Sequence, residues 1–507
     1  MPDDGFLRSP RDVFMNAKVK KQTTCTTGIS GLDHVLGGGL PAHRVYLVQG
    51  DPGVGKTTLA LQFLLEGVRL GEKVLYITLS ETKDELEAVA ASHGWSLDKI
   101  EMFELSAMEA DGEEMESTFF NPSEVLLNRT TRMLLDRVEK VQPRRVVFDS
   151  LSEMRMLAET PLRYRRQILA FKQFFAGSQT TVLFLDDRTS GSHDLQVESI
   201  AHGVICLQRS SPDYGATRRQ LNVLKVRGAE FQEGNHDFVL RQGGMVLFPR
   251  LVAADHLKDF PSGNFTTGIA GLDALLGGGL DRGTSNMFMG PPGTGKSTTA
   301  LKYAFVAASR GERVEMFTFD ETVRTLTGRS KALGMDVQPL MDKDLIRIHT
   351  IDPAVISPGE FAQRVRESVQ HDQTRMVIID SINGYLNTMP QEQTLSLQLH
   401  ELLAYLNQQG AVTIMVLAQQ GMMGSMQSVV DLTYLADTVL MFRFFEYRGV
   451  VKQAISVIKK RSGNHERSIR EFKVGAGGIE VGPALTAFHG VLTGVPTVIE
   501  GEQEVGK

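Results

Sequence analysis

Two segments of this 507-residue chain have the glycines, lysine and hydroxyl residue of a phosphate-binding loop. Gly50–Thr57 and Gly290–Ser297 both fit the pattern G-x-x-x-x-G-K-[ST], the P-loop. In this pattern the backbone N–H groups surround phosphate oxygens, the lysine neutralises the β and γ phosphates, and the hydroxyl binds Mg²⁺. The chain therefore predicts two sites for ATP with Mg²⁺. The predicted nucleotide-binding residues are Gly50, Gly53, Val54, Gly55, Lys56, Thr57 and Thr58 in the first site, and Gly290, Gly293, Thr294, Gly295, Lys296, Ser297 and Thr298 in the second.

An aspartate closes an apolar run in each half of the chain. Asp149 follows three apolar residues and Asp380 follows four, which is the arrangement of a Walker B aspartate that holds the Mg²⁺ shell. We therefore predict that they bind the metal together with Thr57 and Ser297. The alternative is a strand-end aspartate that caps the next turn.

Further carboxylates follow the second apolar run of each half. Glu81 stands beside Ser80 in the first half, and Glu321 stands beside Asp320 in the second. ATP hydrolysis needs a carboxylate that orients or deprotonates the attacking nucleophile, so Glu81 and Glu321 are predicted catalytic residues, and Asp320 gives the second site a further carboxylate. Asp320 is also a predicted metal ligand. Capping of the helix that follows is the alternative role.

A lysine and an arginine two positions apart end a late apolar strand in each half. The pairs are Lys225 with Arg227 and Lys459 with Arg461. Such cations can reach the γ-phosphate held by a neighbouring subunit, as arginine fingers do. An ordinary basic strand end is the alternative.

The repeat is longer than the two loops. Thr26–Asp33 returns as Thr266–Asp273, and the numbering difference stays at 240 through the P-loops. This register indicates duplication of a whole domain. We expect a first domain over residues 1–247, a linker over 248–265, a second domain over 266–488 and a tail over 489–507. Pro249, Pro261, Ser262 and Gly263 mark the linker.

Each half alternates apolar strands with helices. Val45–Gln49 should form a strand that leads into the first P-loop, and Lys56–Leu70 should form the helix that follows it. Further strands are expected over Arg145–Asp149 and Thr181–Leu185. Continuous apolar strands between helices are typical of a parallel sheet that is buried on both faces. The predicted fold is therefore α/β, with two tandem P-loop domains, each a mostly parallel sheet flanked by helices.

The amino-acid composition narrows the class of protein. A hydrophobic content of 42% and a charged content of 22% are ordinary for a globular protein. The net charge of −6 makes non-specific binding to nucleic acid unexpected. Cys25 and Cys206 are the only cysteines, which favours a cytoplasmic location, and no apolar run is long enough to span a membrane. The histidines lack metal-ligand spacing, so no zinc site is expected.

Taken together, the motifs resemble the KaiC family of circadian-clock ATPases and autokinases. Thr26–Asp33 and Thr266–Asp273 read T-T-G-I-x-G-L-D, each is followed by a G-G-G-L run, and Phe445–Gly449 matches the end of the family's second domain. The resemblance covers nearly the whole chain. It implies two fused RecA-like domains in a double-ring homohexamer with ATP at the subunit interfaces. It also implies that the first domain is an ATPase and that the second adds autokinase and autophosphatase activity.

The resemblance extends to individual residues. It implies that Asp320 is also catalytic, at the position of the kinase base, and that the K-x-R pairs reach ATP across the interface. It further implies that His465 contacts the nucleotide and that Thr433 and Ser428 are the candidate phosphoacceptors. Tyr434 replaces the family's threonine acceptor, and Phe231 stands in the first domain at the position that corresponds to His465. The family also implies a KaiB-like partner protein, whereas a KaiA-like partner cannot be read from the tail.

The residues leave two other functions open. One is a DNA-dependent recombinase or helicase of the RecA type, which needs basic loops along a channel. The segment 109–116 is acidic instead. The other is a signalling hub that uses ATP to switch conformation and transfers no phosphoryl group.

Overall fold

The chain forms two compact units that divide between Arg250 and Leu251, apart from residues 212–216, which group with the second unit. The structure is a computed structural model and describes residues 23–105, 122–188, 195–212, 215–387, 395–419, 432–475, 477–491 and 497–498. The acidic segment 109–116 and Ser428 lie outside the described residues.

A nine-stranded sheet flanked by helices forms the first unit. The strands are β1 (Thr24–Cys25), β2 (Leu40–Pro41), β3 (Val45–Gly50), β4 (Val74–Thr78), β5 (Glu101–Glu104), β6 (Arg145–Asp149), β7 (Thr181–Asp187), β8 (Gly203–Ser210), β9 (Arg218–Val226), β10 (Asn235–Arg241) and β11 (Gly244–Phe248). The helices are α1 (Ser30–Val35), α2 (Lys56–Arg69), α3 (Lys83–Ser92), α4 (Pro122–Val141), α5 (Leu151–Ala158), α6 (Pro161–Ala176) and α7 (Leu195–Ile200). The sheet order is β11-β10-β9-β8-β3-β7-β6-β4-β5, while β1 and β2 pair separately.

The second unit repeats this architecture. Its strands are β12 (Asn264–Phe265), β13 (Leu280–Asp281), β14 (Ser285–Gly290), β15 (Val314–Thr318), β16 (Ile346–Thr350), β17 (Met376–Asp380), β18 (Val412–Ala418), β19 (Thr438–Tyr447), β20 (Val450–Lys460), β21 (Arg470–Gly475), β22 (Gly478–Ala484), β23 (Phe488–His489) and β24 (Thr497–Val498). Its helices are α8 (Ala270–Leu275), α9 (Lys296–Ser309), α10 (Val323–Ala332), α11 (Gln338–Asp342), α12 (Pro358–Gln370), α13 (Ile382–Asn387) and α14 (Leu395–Gln408). The large sheet has the order β16-β15-β17-β18-β14-β19-β20-β21-β22, the same arrangement as in the first unit.

Six neighbouring strands of each large sheet run parallel, and the last three are antiparallel. The predicted α/β class with mostly parallel sheets is therefore confirmed. Both faces are buried, because successive residues of β3 alternate between two cores. Tyr46 and Val48 belong to one core, and Val45 and Leu47 belong to the other.

The repeated T-T-G-I-x-G-L-D motif has a structural explanation. The carboxylate of Asp33 accepts hydrogen bonds from the backbone N–H and the hydroxyl of Thr27, at 2.7 and 2.9 Å. Asp273 accepts the same two bonds from Thr267, both at 2.8 Å. The motif thus ties the strand before α1 or α8 to that helix.

Part of the predicted linker packs within the second unit. A 3₁₀ turn over Ala253–His256 lies against α14, where the Ala253 N–H donates to Glu401 Oε2 at 3.0 Å. Leu251 and Ala253 join the apolar core of this unit. The domain limits given from the sequence stay a prediction. Among the described helices, none combines the length and the apolar character that crossing a bilayer requires.

Candidate functional site

The first P-loop connects the end of β3 to the start of α2. Gly53 and Gly55 have φ angles of 72° and 120°, a region that residues with a side chain rarely adopt. The ammonium of Lys56 donates to the carbonyls of Gly50 and Asp51, at 2.9 and 3.1 Å. Thr57 and Thr58 follow in the first turn of α2, whose free N–H groups attract anions.

An acidic residue at the end of β7 pairs with the first P-loop lysine. Asp187 Oδ1 lies 2.6 Å from Lys56 Nζ. β7 neighbours β3 in the sheet, and Gly50 and Asp187 are opposite each other in this pairing. The carboxyl edge of the sheet therefore brings this acid to the loop.

The second P-loop has the same shape without that acid. Gly293 and Gly295 have φ angles of 81° and 94°, and the ammonium of Lys296 donates to the carbonyl of Pro291 at 2.6 Å. Ala418 stands opposite Gly290 at the end of β18, where the first unit has an aspartate. Burial lowers the pKa of Lys296 to about 8. The two loops thus differ in the electrostatic environment of their lysines.

The two predicted Walker B aspartates lie beside the loops, with different partners. Tyr76 donates its hydroxyl hydrogen to Asp149 Oδ2 at 2.6 Å, and Tyr76 also hydrogen-bonds to Thr57. In the second unit Ser297 hydrogen-bonds directly to Asp380. Burial raises the pKa of both aspartates, and these hydrogen bonds oppose the rise.

Glu81 lies near Asp149 because β4 and β6 are neighbouring strands. The backbone around Glu81 is fixed by Thr78, whose hydroxyl donates to the Glu81 carbonyl at 2.7 Å and accepts from the Glu81 N–H at 3.0 Å. Within the described part of the chain, its carboxylate oxygen Oε2 is buried without a hydrogen-bond partner. Burial, followed by the charges of Asp149 and Glu85, raises the pKa of Glu81 to about 7. A carboxylate with this pKa is suited to accept a proton near neutral pH.

The corresponding carboxylates of the second unit are both engaged. Ser381 donates its hydroxyl hydrogen to Asp320 Oδ2 at 2.6 Å. Arg329 Nη2 lies 2.9 Å from Glu321 Oε2 in an ion pair. The structure thus brings Asp320, Glu321 and Asp380 to one sheet edge beside the second P-loop, but it restrains the first two.

The first K-x-R pair lies at the other edge of its sheet. Lys225 stands near the end of β9, and this end pairs with the start of β8, next to the start of β3. The P-loop follows the far end of β3, a six-residue strand that spans about 20 Å. Lys225 and Arg227 donate instead to the backbone carbonyls of Glu198 and Ser199. The pair is therefore remote from the P-loop of its own domain.

The second K-x-R pair holds the segment that contains a candidate phosphoacceptor. Lys459 Nζ donates to the carbonyls of Thr433 and Ala436, at 3.0 and 2.7 Å. Arg461 donates to the carbonyl of Tyr434 at 3.0 Å and pairs with Asp437 Oδ1 at 3.2 Å. This cluster also lies at the sheet edge opposite the P-loop, since the end of β20 pairs with the start of β19.

His465 lies close to the same edge. The N–H of the next residue, Glu466, donates to the carbonyl of Leu275 at 3.0 Å. In the first unit Gln232, which follows Phe231, makes the equivalent bond to Val35 at 2.8 Å. Phe231 and His465 are therefore structural counterparts, and the first domain has a phenyl ring where the second has an imidazole.

Four partners in these sites were not predicted from the sequence: Tyr76, Asp187, Arg329 and Ser381. Asp187 had a usable signal, because Asp186 and Asp187 directly follow the strand predicted to end at Leu185. Ser381 directly follows the Walker B aspartate. Tyr76 and Arg329 gave no such signal, since one reads as strand interior and the other as an ordinary helix cation.

Both edges that carry a P-loop have the donors for a nucleotide with a metal ion. A lysine and the N-terminus of a long helix suit phosphate groups, and the neighbouring hydroxyl and carboxylate oxygens are ligands that Mg²⁺ prefers. In the first site these oxygens belong to Thr57 and Asp149, and in the second to Ser297 and Asp380. The residues present therefore fit ATP and Mg²⁺.

Comparison with known proteins agrees with this geometry. A family model described as the KaiC ATPase matches the chain twice, over residues 25–252 and 265–486. The circadian clock oscillator protein KaiC of Thermostichus vulcanus is 26% identical over 506 residues, which cover 96% of this chain and 94% of that protein. The protein of the same name from Prochlorococcus marinus subsp. pastoris is 25% identical over 508 residues, which cover 98% of each chain. With its two tandem RecA-like domains, each matched by the family model, this chain belongs to the KaiC family of ATPases.

Proposed function

We propose that this KaiC-family ATPase is a homohexameric double ring that hydrolyses ATP in its first domain and phosphorylates itself in its second. Mg²⁺-ATP binds at both P-loops, at interfaces between subunits. Thr433 is the preferred phosphoacceptor, and Ser428 is the other candidate. The second domain also removes the phosphoryl group, as an autophosphatase.

The observation that carries the proposal is the position of the K-x-R clusters. Lys459 and Arg461 hold the segment around Thr433 at the sheet edge opposite their own P-loop. A phosphoryl donor for Thr433 therefore belongs to another copy of the chain. A ring in which each P-loop edge faces the K-x-R edge of the next subunit provides that donor, and the two cations then neutralise charge on the transferring group.

The residues of the second domain suggest how the phosphoryl group is transferred. The Thr433 hydroxyl oxygen attacks the γ-phosphorus, the bond from that phosphorus to the β–γ bridging oxygen breaks, and ADP leaves. The hydroxyl proton passes to Asp320 of the subunit that holds the nucleotide. Lys296 and, when bound, Mg²⁺ neutralise the phosphate oxygens. The role of Asp320 and the other site residues is part of the proposal.

Hydrolysis in the first domain uses Glu81. Its pKa of about 7 allows it to accept the proton of an attacking water molecule, and among the described residues it makes no ion pair of the kind that Glu321 makes. The first domain has no imidazole at the position of His465. These differences support hydrolysis in the first domain and transfer in the second.

The relatives suggest what the cycle is for. They are named circadian clock oscillator proteins, and we propose by analogy that this chain is a timing or signalling regulator. A KaiB-like protein is the proposed partner that reads its nucleotide or phosphorylation state. The KaiC family match gives no support to the alternative of a DNA-dependent recombinase.

Transfer between subunits can be tested by mixing two inactive variants. Lys296→Ala removes the cation that binds phosphate in the second domain, and Thr433→Ala removes the acceptor. We expect neither variant alone to incorporate label from γ-labelled ATP. In mixed rings the Thr433→Ala chains donate, so label should appear on Lys296→Ala chains, which a tag of different mass distinguishes.

Ser428→Ala is the matched control for the acceptor. It should retain label if Thr433 is the acceptor and lose it if Ser428 is. Absence of label from the wild-type chain would remove the autokinase activity and leave an ATPase. If label in the mixtures appeared only on the Thr433→Ala chains, which keep Lys296, transfer between subunits would be contradicted.

A further inference from the structure

The helix that follows Glu81 and the helix that follows Glu321 carry different residues at the same position. In the second unit Arg329 stands eight positions after Glu321, and in the first unit Val89 stands eight positions after Glu81. Arg329 Nη2 lies 2.9 Å from Glu321 Oε2. Val89 packs against the apolar core of the first unit and offers no charge. The second site therefore has a guanidinium beside its candidate base, where the first site has an apolar side chain.

The geometry of α10 explains how this arginine reaches Glu321. Side chains on a helix lean toward its N-terminus, and Arg329 lies in the last turn of α10. Thr322 caps the helix by accepting a hydrogen bond from the Thr325 N–H at 3.3 Å, which places Glu321 just outside the first turn. A long arginine side chain that lies along two turns therefore ends at Glu321.

Arg329 acts inside the site and not only on the helix surface. Its partner Glu321 follows β15, whose last residue, Thr318, pairs with Asp380, the predicted Walker B aspartate, at the end of β17. Asp320 is occupied separately by the Ser381 hydroxyl. An ion pair with a guanidinium at this distance holds the Glu321 carboxylate in one direction.

We propose that Arg329 is a positioning residue that holds Glu321 away from an attacking water and keeps ATP hydrolysis in the second site slow. ATP in that site then survives long enough to be used for phosphoryl transfer to protein. This inference rests on the proposed function, because it assigns a cause to the difference between the two sites.

The test measures second-site turnover directly. Glu81→Gln removes the first-site base, and Arg329→Val, the residue found in the first domain, is added to this background. We expect kcat for ATP hydrolysis to rise about fivefold, which corresponds to release of a partly exposed ion pair. The KM for ATP and the Kd for a fluorescent ATP analogue should change by less than about twofold, since Arg329 contacts the base and not the P-loop.

Three variants separate positioning from a structural role. Addition of Glu321→Gln should abolish the gain given by Arg329→Val, because the gain depends on a freed carboxylate. Arg329→Lys keeps a cation and should retain slow turnover. Arg324→Val removes an exposed arginine from the same helix and should leave turnover unchanged.

The reverse exchange can be made in the first domain. Val89→Arg, in a background that carries Asp320→Asn and Glu321→Gln, should lower first-site kcat about fivefold by pairing with Glu81. Val89→Leu is the control for the loss of valine packing and should cause less than about a twofold change.

Unchanged or lower kcat in the Arg329→Val variant would overturn the proposal, and so would a gain that persists in the presence of Glu321→Gln. Failure of the proposed function is a separate result. It would be seen in the parent proteins as absence of ATP hydrolysis by the wild-type chain or absence of phosphoryl transfer to Thr433.

Discussion

At the scale of single residues, the two ATP sites differ in what surrounds their carboxylates. Glu81 has a buried carboxylate oxygen and a pKa raised to about 7. Glu321 has a guanidinium at 2.9 Å, and Asp320 has a serine hydroxyl at 2.6 Å. The same residue types at the same sheet edge therefore have different partners.

The pH dependence of first-site hydrolysis should report Glu81. A base acts when deprotonated, so turnover should rise with pH as Glu81 loses its proton near pH 7. With the second site silenced by Asp320→Asn and Glu321→Gln, we expect kcat to rise about tenfold between about pH 6 and 8. Steady-state phosphate release across this range is the measurement.

Glu81→Gln is the control for this pH profile. It should lower kcat by about 10²- to 10⁴-fold and remove the rise, because the amide cannot accept the proton. A profile that is flat in the parent protein, or that keeps its rise in the Glu81→Gln variant, would contradict the role given to Glu81.

Residues whose position follows from a strand or a motif could be predicted from the sequence. Lys56, Asp149 and Glu81 come together because parallel strands place their carboxyl ends at one edge. Their partners depend on contacts that the local pattern does not encode. Arg329 reads as an ordinary surface residue of a helix. Its contact with Glu321 depends on where α10 lies relative to the sheet, which the sequence pattern does not give.

At the scale of elements, each P-loop depends on glycines at the start of a helix. Gly295 caps α9 with a φ of 94°, and a Cβ there would lie 2.8 Å from Phe472 and 2.9 Å from Val474. Both the backbone conformation and the close packing therefore exclude a side chain.

Gly295→Ala should weaken binding of ATP to the second site by about 5- to 150-fold, because strain of roughly 1–3 kcal/mol must displace the loop or the strands that cover it. Titration of the wild-type and Gly295→Ala rings with a fluorescent ATP analogue measures this change, which should affect one of the two sites of each chain.

Gly328→Ala is the matched control for the glycine substitution. Gly328 lies inside α10, and its added Cβ would meet no heavy atom within 4 Å. This variant should keep ATP affinity and gain about 0.5–1 kcal/mol of stability, since alanine favours a helix. Equal ATP affinity in the two variants would show that the conformation of Gly295 is not required.

The elements themselves were largely predictable. The strand over Arg145–Asp149 has the predicted bounds, and the helix from Lys56 ends at Arg69, one residue before the predicted end. Strong apolar runs between glycine loops are sufficient for this. The extension of β7 to Asp187 was missed, because two acidic residues at its end read as a loop.

At the scale of the whole molecule, the duplicated sheet places a P-loop at one edge and a K-x-R pair at the other. Lys225 and Arg227 donate to carbonyls of their own domain at the edge remote from their P-loop. In the proposed ring the two edges of adjacent copies come together, so nucleotide binding and assembly should depend on each other.

Lys56→Ala should therefore prevent ring assembly in the presence of ATP. Size-exclusion chromatography with light scattering measures the mass of the particle, and we expect a hexamer for the wild-type chain and smaller species for the variant. Lys83→Ala removes an exposed lysine of α3 and should still give the hexamer. A hexamer of normal mass with Lys56→Ala would contradict an assembly that depends on the first-domain nucleotide.

The central claim is that the second site transfers a phosphoryl group to its own protein. The most direct measurement is the intact mass of the wild-type chain after incubation with ATP and Mg²⁺, followed by peptide mapping. The predicted result is a species heavier by one phosphoryl group, with the modification on Thr433, that is absent from the Lys296→Ala variant. A single unmodified mass, recorded while ATP is being hydrolysed, would contradict the claim.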